Sequence, residues 1–167
     1  MRAANDDPDL FRVVFVCWGN ICRSPIAERV AQRAAADAGL TNVEFTSAAT
    51  SSEEIGAPID RRAQQVLRAS GYSFGGHSAH RISAQELDAA DLVVAMEDIH
   101  VSKLRALSPD GTNVALLTDF DPAAERGSGV PDPWYGADTG FEDTLTAIEA
   151  AMPGVLARIR ELQRNAQ

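Results

Sequence analysis

Cysteine is nearly absent from this chain, with two thiols in 167 residues, at positions 17 and 22. Two thiols exclude a disulfide-stapled scaffold, and their spacing fits neither a four-ligand zinc site nor a Cys-x-x-Cys redox pair. Histidine is also scarce, and residues 77, 80 and 100 follow no metal-ligand pattern, so neither a metal nor another cofactor is expected. Long apolar runs are missing, which argues against a membrane span, and no basic-then-apolar leader marks the N-terminus for export. A cytoplasmic location is the expectation. Positive charge is in short supply as well: 15 Lys and Arg against 24 Asp and Glu leave a net charge of −9. A nucleic-acid binder rests on a basic footprint that this chain lacks. The same imbalance biases ligand choice away from strongly acidic peptides.

What the chain does contain is an alternation of short apolar runs and helical patterns, with no repeat and no linker, and 45% hydrophobic residues. That length and composition suit one α/β core. Residues 1–9 read as a polar, disordered tail and 10–164 as one domain. Strands are expected at 11–17, 43–47, 91–95 and 113–117, and helices at 25–38, 58–70, 83–89, 98–106 and 139–164. Gly39 and Gly71 mark helix ends, and Pro58 marks a helix start. In the last helix Phe141, Leu145, Ile148, Met152, Val155 and Ile159 recur at spacings of four and three, one apolar face for a sheet.

The densest information lies in 13–25, VVFVCWGNICRSP. An apolar strand ends in Cys17, Gly19-Asn20 supplies a tight turn, and Ser24-Pro25 opens a helix. The backbone N–H groups of such a loop converge on one point, which suits a phosphate-sized dianion. Five residues separate Cys17 from Arg23. That spacing sets a thiolate at the base of the amide cradle while the guanidinium arcs over two phosphoryl oxygens, and the field that binds the anion also favours the thiolate.

Expelling an alkoxide or phenolate requires a proton donor. Asp132 is the candidate, pinned between Pro131 and Pro133 in VPDPWYG and followed by Trp134 and Tyr135. Proline on both sides stiffens the segment, and the aromatics would form a deep wall against which a substrate ring stacks. Phosphoserine would be too short to reach a thiolate at the bottom of such a pocket.

In order and spacing, VCWGNICRSP, TSAAT and DPWYG resemble the low-molecular-weight protein tyrosine phosphatases, over about 11–161. The resemblance implies a three-layer α/β/α fold around a central four-stranded parallel sheet, with the phosphate-binding loop after the first strand. It implies hydrolysis of phosphotyrosine through a cysteinyl-phosphate, without metal or cofactor. Cys17 would be the nucleophile, Arg23 the transition-state clamp and Asp132 the general acid and then base. Trp18, Gly19, Asn20, Ile21, Cys22 and Ser24 would complete the phosphate loop, with Trp134 and Tyr135 against the substrate. Asn20, Ser24, Ser47 and His77 would form the hydrogen-bond network holding the loop open, with Ser24 also stabilising the thiolate. The partners expected are a phosphotyrosine-containing protein, inorganic phosphate as product and a cognate tyrosine kinase, and the chain would act as a monomer.

Several positions depart from the family pattern. Trp18 is larger than usual just after the nucleophile, which should alter the choice of phosphopeptide more than bond breaking. Trp134 stands where tyrosine is common. In Ser47-Ala48-Ala49-Thr50 the third position has lost a glycine, which costs about 1 kcal/mol if that residue needs a positive φ and nothing otherwise. Met96-Glu97 replaces Met-Asp, and His100 stands where asparagine is frequent. Residues 51–54 are expected at the outer rim. Cys22 is either small buried packing or a thiol that captures an oxidised Cys17 as a disulfide. Three other functions stay open: a protein-arginine phosphatase, disfavoured by Ile21 where those enzymes carry threonine; an arsenate reductase using an external thiol; and a non-catalytic phosphotyrosine-binding module.

Overall fold

The structure is a computed structural model, and it describes residues 9–110, 113–137 and 139–166. Residues 1–8 of the expected tail lie outside the described residues. The apolar run becomes strand β1 (Phe11–Cys17), which pairs in parallel with β2 (Val43–Ala49) on one side and β3 (Leu92–Ala95) on the other. Strand β4 (Val114–Leu116) adds in parallel to β3, giving the order β2-β1-β3-β4. A strand buried on both faces reads as continuous apolar sequence, which is why β1 stands out. Its residues alternate between two cores. Phe11, Val13, Phe15 and Cys17 face one core, and Val14 and Val16 face the other.

Helices α1 (Arg23–Asp37), α2 (Arg61–Ala69) and α5 (Thr139–Asn165) cover the first face through Ile26, Val30, Leu67, Ile148, Val155 and others. Helices α3 (Ala84–Ala89) and α4 (Asp98–Leu107) cover the second with Leu87, Val101 and Leu104. The result is a three-layer α/β/α fold. After β2 the chain crosses back over β1 to form β3, so the strand order reverses beside the C-terminal end of β1. Crevices at such switch points are where open α/β sheets bind ligands, and Cys17 ends β1 there.

Element boundaries moved where side chains or pairing overrode the local pattern. Helix α1 starts at Arg23 rather than residue 25, because Arg23 and Ser24 already wind into the first turn, where Pro25 is tolerated. Helix α2 starts at Arg61, not 58, because the Asp60 carboxylate accepts the Arg62 N–H at 2.8 Å and acts as its N-cap. Strand β2 runs two residues past 47, since Ala48 and Ala49 pair with Val16 and Cys17. Ala49 is not among the described residues with positive φ, so the missing glycine costs nothing there. Leu117 leaves β4 for a short 3-10 turn, Leu117–Phe120.

The apolar stripe of α5 is buried throughout, from Phe141 to Ile159. Gly154 is required for contact: a Cβ there would stand 2.2 Å from the Phe120 carbonyl oxygen. Gly154→Ala should therefore destabilise the protein by about 3 kcal/mol through overpacking, read as a lowered denaturation midpoint with an unchanged slope.

Candidate active site

The loop between β1 and α1 is organised by Asn20. This residue is fully buried and has φ +60°, a left-handed conformation that asparagine tolerates better than most residues. All its polar groups are used. Its backbone N–H donates to Cys17 Sγ at 3.3 Å, and its carbonyl lies 2.7 Å from His77 Nε2. Its Nδ2 donates to Ser24 Oγ (2.9 Å) and Ser47 Oγ (3.0 Å), and its Oδ1 accepts the His80 N–H at 3.2 Å. Ser24 Oγ in turn lies 3.0 Å from Cys17 Sγ. The four residues expected to form a supporting network thus meet on one side of the thiol.

The network continues to a residue that sequence reading missed. Ser47 Oγ donates to Glu28 Oε1 at 3.0 Å, and the other Glu28 oxygen takes the Arg29 Nε–H at 3.0 Å. Glu28 is buried on α1, four residues past Ser24 and so on the same helix face. That spacing was the available signal. A carboxylate at the end of the chain orients Ser47 as a donor to Glu28, which leaves the serine oxygen to accept from Asn20.

Arg23 is nearly fully buried. Its Nη1 pairs with Glu97 and donates to the Val130 carbonyl at 2.8 Å, and its Nη2 lies 3.6 Å from Asp132 Oδ2. Gly129 lets that loop approach, since a Cβ there would meet the Met96 carbonyl at 3.1 Å, and Val130 N–H bonds the same carbonyl at 2.7 Å. Asp132 also caps the 3-10 turn Pro133–Tyr135 by accepting the Trp134 N–H at 3.0 Å. The two prolines therefore work together with a side-chain cap.

His100 supports Glu97: its Nδ1 accepts the Glu97 backbone N–H at 3.1 Å. Burial, with the Arg23 guanidinium adding, pushes its pKa down to about 4. The folded state thus holds His100 neutral where the unfolded chain, near the ordinary 6.5, takes up a proton. The contribution is complete above about pH 6.5 and is lost progressively toward about pH 4, up to about 3 kcal/mol. Urea titrations across that range should show the loss, and His100→Asn should flatten it.

One pocket of about 120 Å³ brings together Cys17, Arg23 and Asp132, with Ile21 and Cys22 among its buried walls and Trp18 and Glu54 toward the rim. Trp134 and Tyr135 border it too, but at its mouth and not as a deep wall, being 42% and 89% exposed. Pro133 is the buried anchor of their turn, which directs both rings outward. Arg62 stacks on Trp134 at 4.9 Å and on Phe141 at 4.6 Å, tying that mouth to α5. The Trp18 indole N–H donates to Glu53 at 3.1 Å, and Lys103 lies 5.1 Å from the ring centre. Ile21 is held by its carbonyl, which accepts the Asp60 N–H at 2.8 Å. Burial, reinforced by Asp60, Cys17 and Asp132, pushes the Cys22 thiol well above its ordinary range. Both thiols are free. No group of His, Cys, Asp and Glu among the described residues has a metal-holding arrangement. None of the described helices is long and apolar enough to cross a membrane.

This arrangement is suited to nucleophilic attack on a bound oxyanion. The family model "Low molecular weight phosphotyrosine protein phosphatase" matches residues 12–167. A low molecular weight protein-tyrosine-phosphatase of Streptomyces coelicolor is 44% identical over 156 residues, covering 90% of this chain and 94% of that protein. Low molecular weight protein-tyrosine phosphatase A of Mycobacterium tuberculosis is 41% identical, covering 94% of this chain and 97% of that protein. The crystal structure of YfkJ from Bacillus subtilis superposes with a TM-score of 0.84 at 34% identity, covering 91% of this chain and 96% of that one. From the match across the loop, the sheet and the final helix alike, this chain belongs to the low-molecular-weight protein tyrosine phosphatase family.

Proposed function

We propose that residues 10–164 act as one phosphatase domain that hydrolyses phosphotyrosine in protein substrates, with Cys17 as nucleophile, Arg23 as clamp and Asp132 as general acid. The observation that carries this reading is the convergence of those three side chains on one pocket, with the buried strand-end thiol in its lining. Cys17 attacks phosphorus in line, its new S–P bond forming as the P–O bond to the tyrosyl oxygen breaks, and Asp132 protonates the leaving oxygen. The Arg23 guanidinium and the loop amides gather the three equatorial oxygens. Asp132, now a carboxylate, takes a proton from the water that attacks the cysteinyl-phosphate. Inorganic phosphate leaves and the thiolate is restored.

Asn20, Ser24, Ser47 and His77 act as positioning residues in this reading, and Glu28 joins them. Gly19 admits the neighbouring rim, since a Cβ there would meet Glu54 Cγ at 3.3 Å. Ile21, Trp18, Trp134 and Tyr135 contact the substrate, and the branched Ile21 side chain favours a tyrosine ester over a guanidinium-linked phosphate. A tyrosine kinase supplies the substrate, and the enzyme works in the cytoplasm as a monomer. Cys22 lines the same pocket as Cys17, which supports a role in capturing the oxidised nucleophile.

The test is steady-state hydrolysis of phosphotyrosine, phosphoarginine and phosphoserine peptides by the wild type and Asp132→Ala. Turnover of phosphotyrosine alone, with kcat reduced roughly 10²-fold or more by the substitution, is the expected result. Preferred turnover of phosphoarginine, or an unchanged kcat in the variant, would overturn it.

A further inference from the structure

A second pocket, of about 280 Å³, adjoins the first and is used by none of the steps above. Thr50, Arg81, Ile82, Lys103, Leu104 and Leu107 line it. The two pockets share a wall. Trp18 borders the first, and Lys103 of the second lies over the Trp18 ring at 5.1 Å. The backbone of Thr50 donates to the Cys17 carbonyl at 2.9 Å, and Ser51 bonds the Trp18 carbonyl through both its N–H (3.1 Å) and its hydroxyl (2.9 Å). Arg81 is brought to the same place by backbone pairing, because Ala49 bonds His80 and Ile82 on either side of it at 2.7 and 2.8 Å.

Two features of this pocket point to an anionic occupant, and a third to one carried on an aliphatic stem. Arg81 and Lys103 are both exposed and, among the described residues, neither has an ion-pair partner. In a chain of net charge −9, two such cations on one depression are a local reversal of the overall field. Among the described residues the buried Thr50 hydroxyl has no hydrogen-bond partner, although buried polar groups are ordinarily satisfied. Finally, Ile82, Leu104 and Leu107 give the depression an apolar side suited to the methylenes of a side chain.

We propose that this pocket is an accessory subsite for the carboxylate side chain of an acidic residue close to the phosphotyrosine in the substrate peptide. The inference rests on the phosphatase reading and names the substrate class for that same site. The charge layout sets a direction. Glu53 and Glu54 border the first pocket and repel an acidic neighbour on their side, whereas Arg81 and Lys103 attract one on theirs. The peptide is therefore read asymmetrically, with Trp18 as the partition. The whole-chain charge would disfavour acidic peptides, and this subsite makes one acidic position an exception.

The experiment compares kcat/KM for phosphotyrosine peptides carrying a single glutamate, alanine or lysine at each flanking position, with phenyl phosphate as a substrate too short to reach the second pocket. Wild type should prefer glutamate over alanine by roughly fivefold on one side of the phosphotyrosine only, a preference that fades as salt is raised. Arg81→Glu, and Lys103→Glu independently, should abolish that preference and leave phenyl phosphate turnover unchanged. Equal use of glutamate and alanine on both sides by wild type would overturn the subsite. So would an equal loss on phenyl phosphate in both variants, which would make the cations structural. Stimulation of phenyl phosphate turnover by free glutamate or sulfate, lost in Arg81→Glu, would reassign the pocket to an effector anion. If no phosphotyrosine substrate is turned over at all, the phosphatase reading fails first. Calorimetric binding of the glutamate and alanine peptides to Cys17→Ser then decides the subsite separately, a glutamate advantage supporting it and equal affinities overturning it.

Discussion

Cys17→Ser should lower kcat for phosphotyrosine hydrolysis by roughly 10⁴-fold or more while leaving phosphotyrosine binding nearly intact. A hydroxyl at this position keeps the contacts that shape the loop, since Asn20 N–H and Ser24 Oγ, now 3.3 and 3.0 Å from Sγ, both have an oxygen to meet. What it loses is ionisation: an alkoxide is far harder to form near neutral pH than a thiolate. Single-turnover kinetics and calorimetry on the same protein separate the two effects. Residual activity near the wild-type rate would remove Cys17 from the mechanism.

The same thiol sets the expected response to peroxide. Hydrogen peroxide should oxidise the Cys17 thiolate to a sulfenic acid, and attack of the Cys22 sulfur with loss of hydroxide should then form a disulfide that thiols reduce. Burial leads the effects that hold Cys22 protonated, so it is a poor nucleophile in the resting enzyme, and its neighbour's negative charge adds to them. Conversion of that thiolate to a neutral sulfenic acid removes this contribution. Wild type should recover activity on reduction, and Cys22→Ser should not. Equal recovery would leave Cys22 as packing.

Arg23→Lys should reduce kcat by about 10²- to 10³-fold, in spite of the retained charge. In the structure Nη1 is committed to Glu97 and the Val130 carbonyl, so the Nε and Nη2 edge is what remains to meet two phosphoryl oxygens side by side. A lysine ammonium has no second donor in that plane. It also cannot hold Glu97, Val130 and the anion together, so the 129–132 loop that carries Asp132 would lose its tie to α1. Glu97→Gln tests this second effect alone: it keeps the guanidinium and weakens its anchor, and a smaller loss than Arg23→Lys is expected. A Lys variant with wild-type kcat would show that charge without planarity suffices.

Much of the site was legible because it is contiguous. The strand, the Gly19-Asn20 turn, the helix opening at Ser24 and the spacing from Cys17 to Arg23 all lie within a few residues of one another. Over that range the backbone and its side chains are governed by local sterics and hydrogen bonding. Asp132 was legible for a related reason, its flanking prolines restricting the backbone on their own. The strand alternation and the stripe on α5 followed from periodicity, which reports the buried face without reference to what covers it. Where expectation and structure parted, a side chain or strand pairing was responsible, as when the Asp60 cap started α2 three residues beyond Pro58 and pairing with β1 carried β2 on to Ala49. The outward stance of Trp134 and Tyr135 had no local signal, because it depends on how Pro133 docks.

The sequence by itself therefore determined the loop between β1 and α1 with Cys17 and Arg23 at its two ends, the four strands and the apolar faces that join them, since these depend on neighbours along the chain. Only the tertiary structure decided that Glu28 would close the Asn20–Ser47 network, that Glu97, itself held by His100, would anchor Arg23 from 74 positions away, and that Lys103 would lie over Trp18. Those pairings arise from the order β2-β1-β3-β4, which sets the ends of β1, β2 and β3 side by side. A contact across a crossover has no period and no fixed spacing, and so it leaves no mark in the sequence until the sheet has formed.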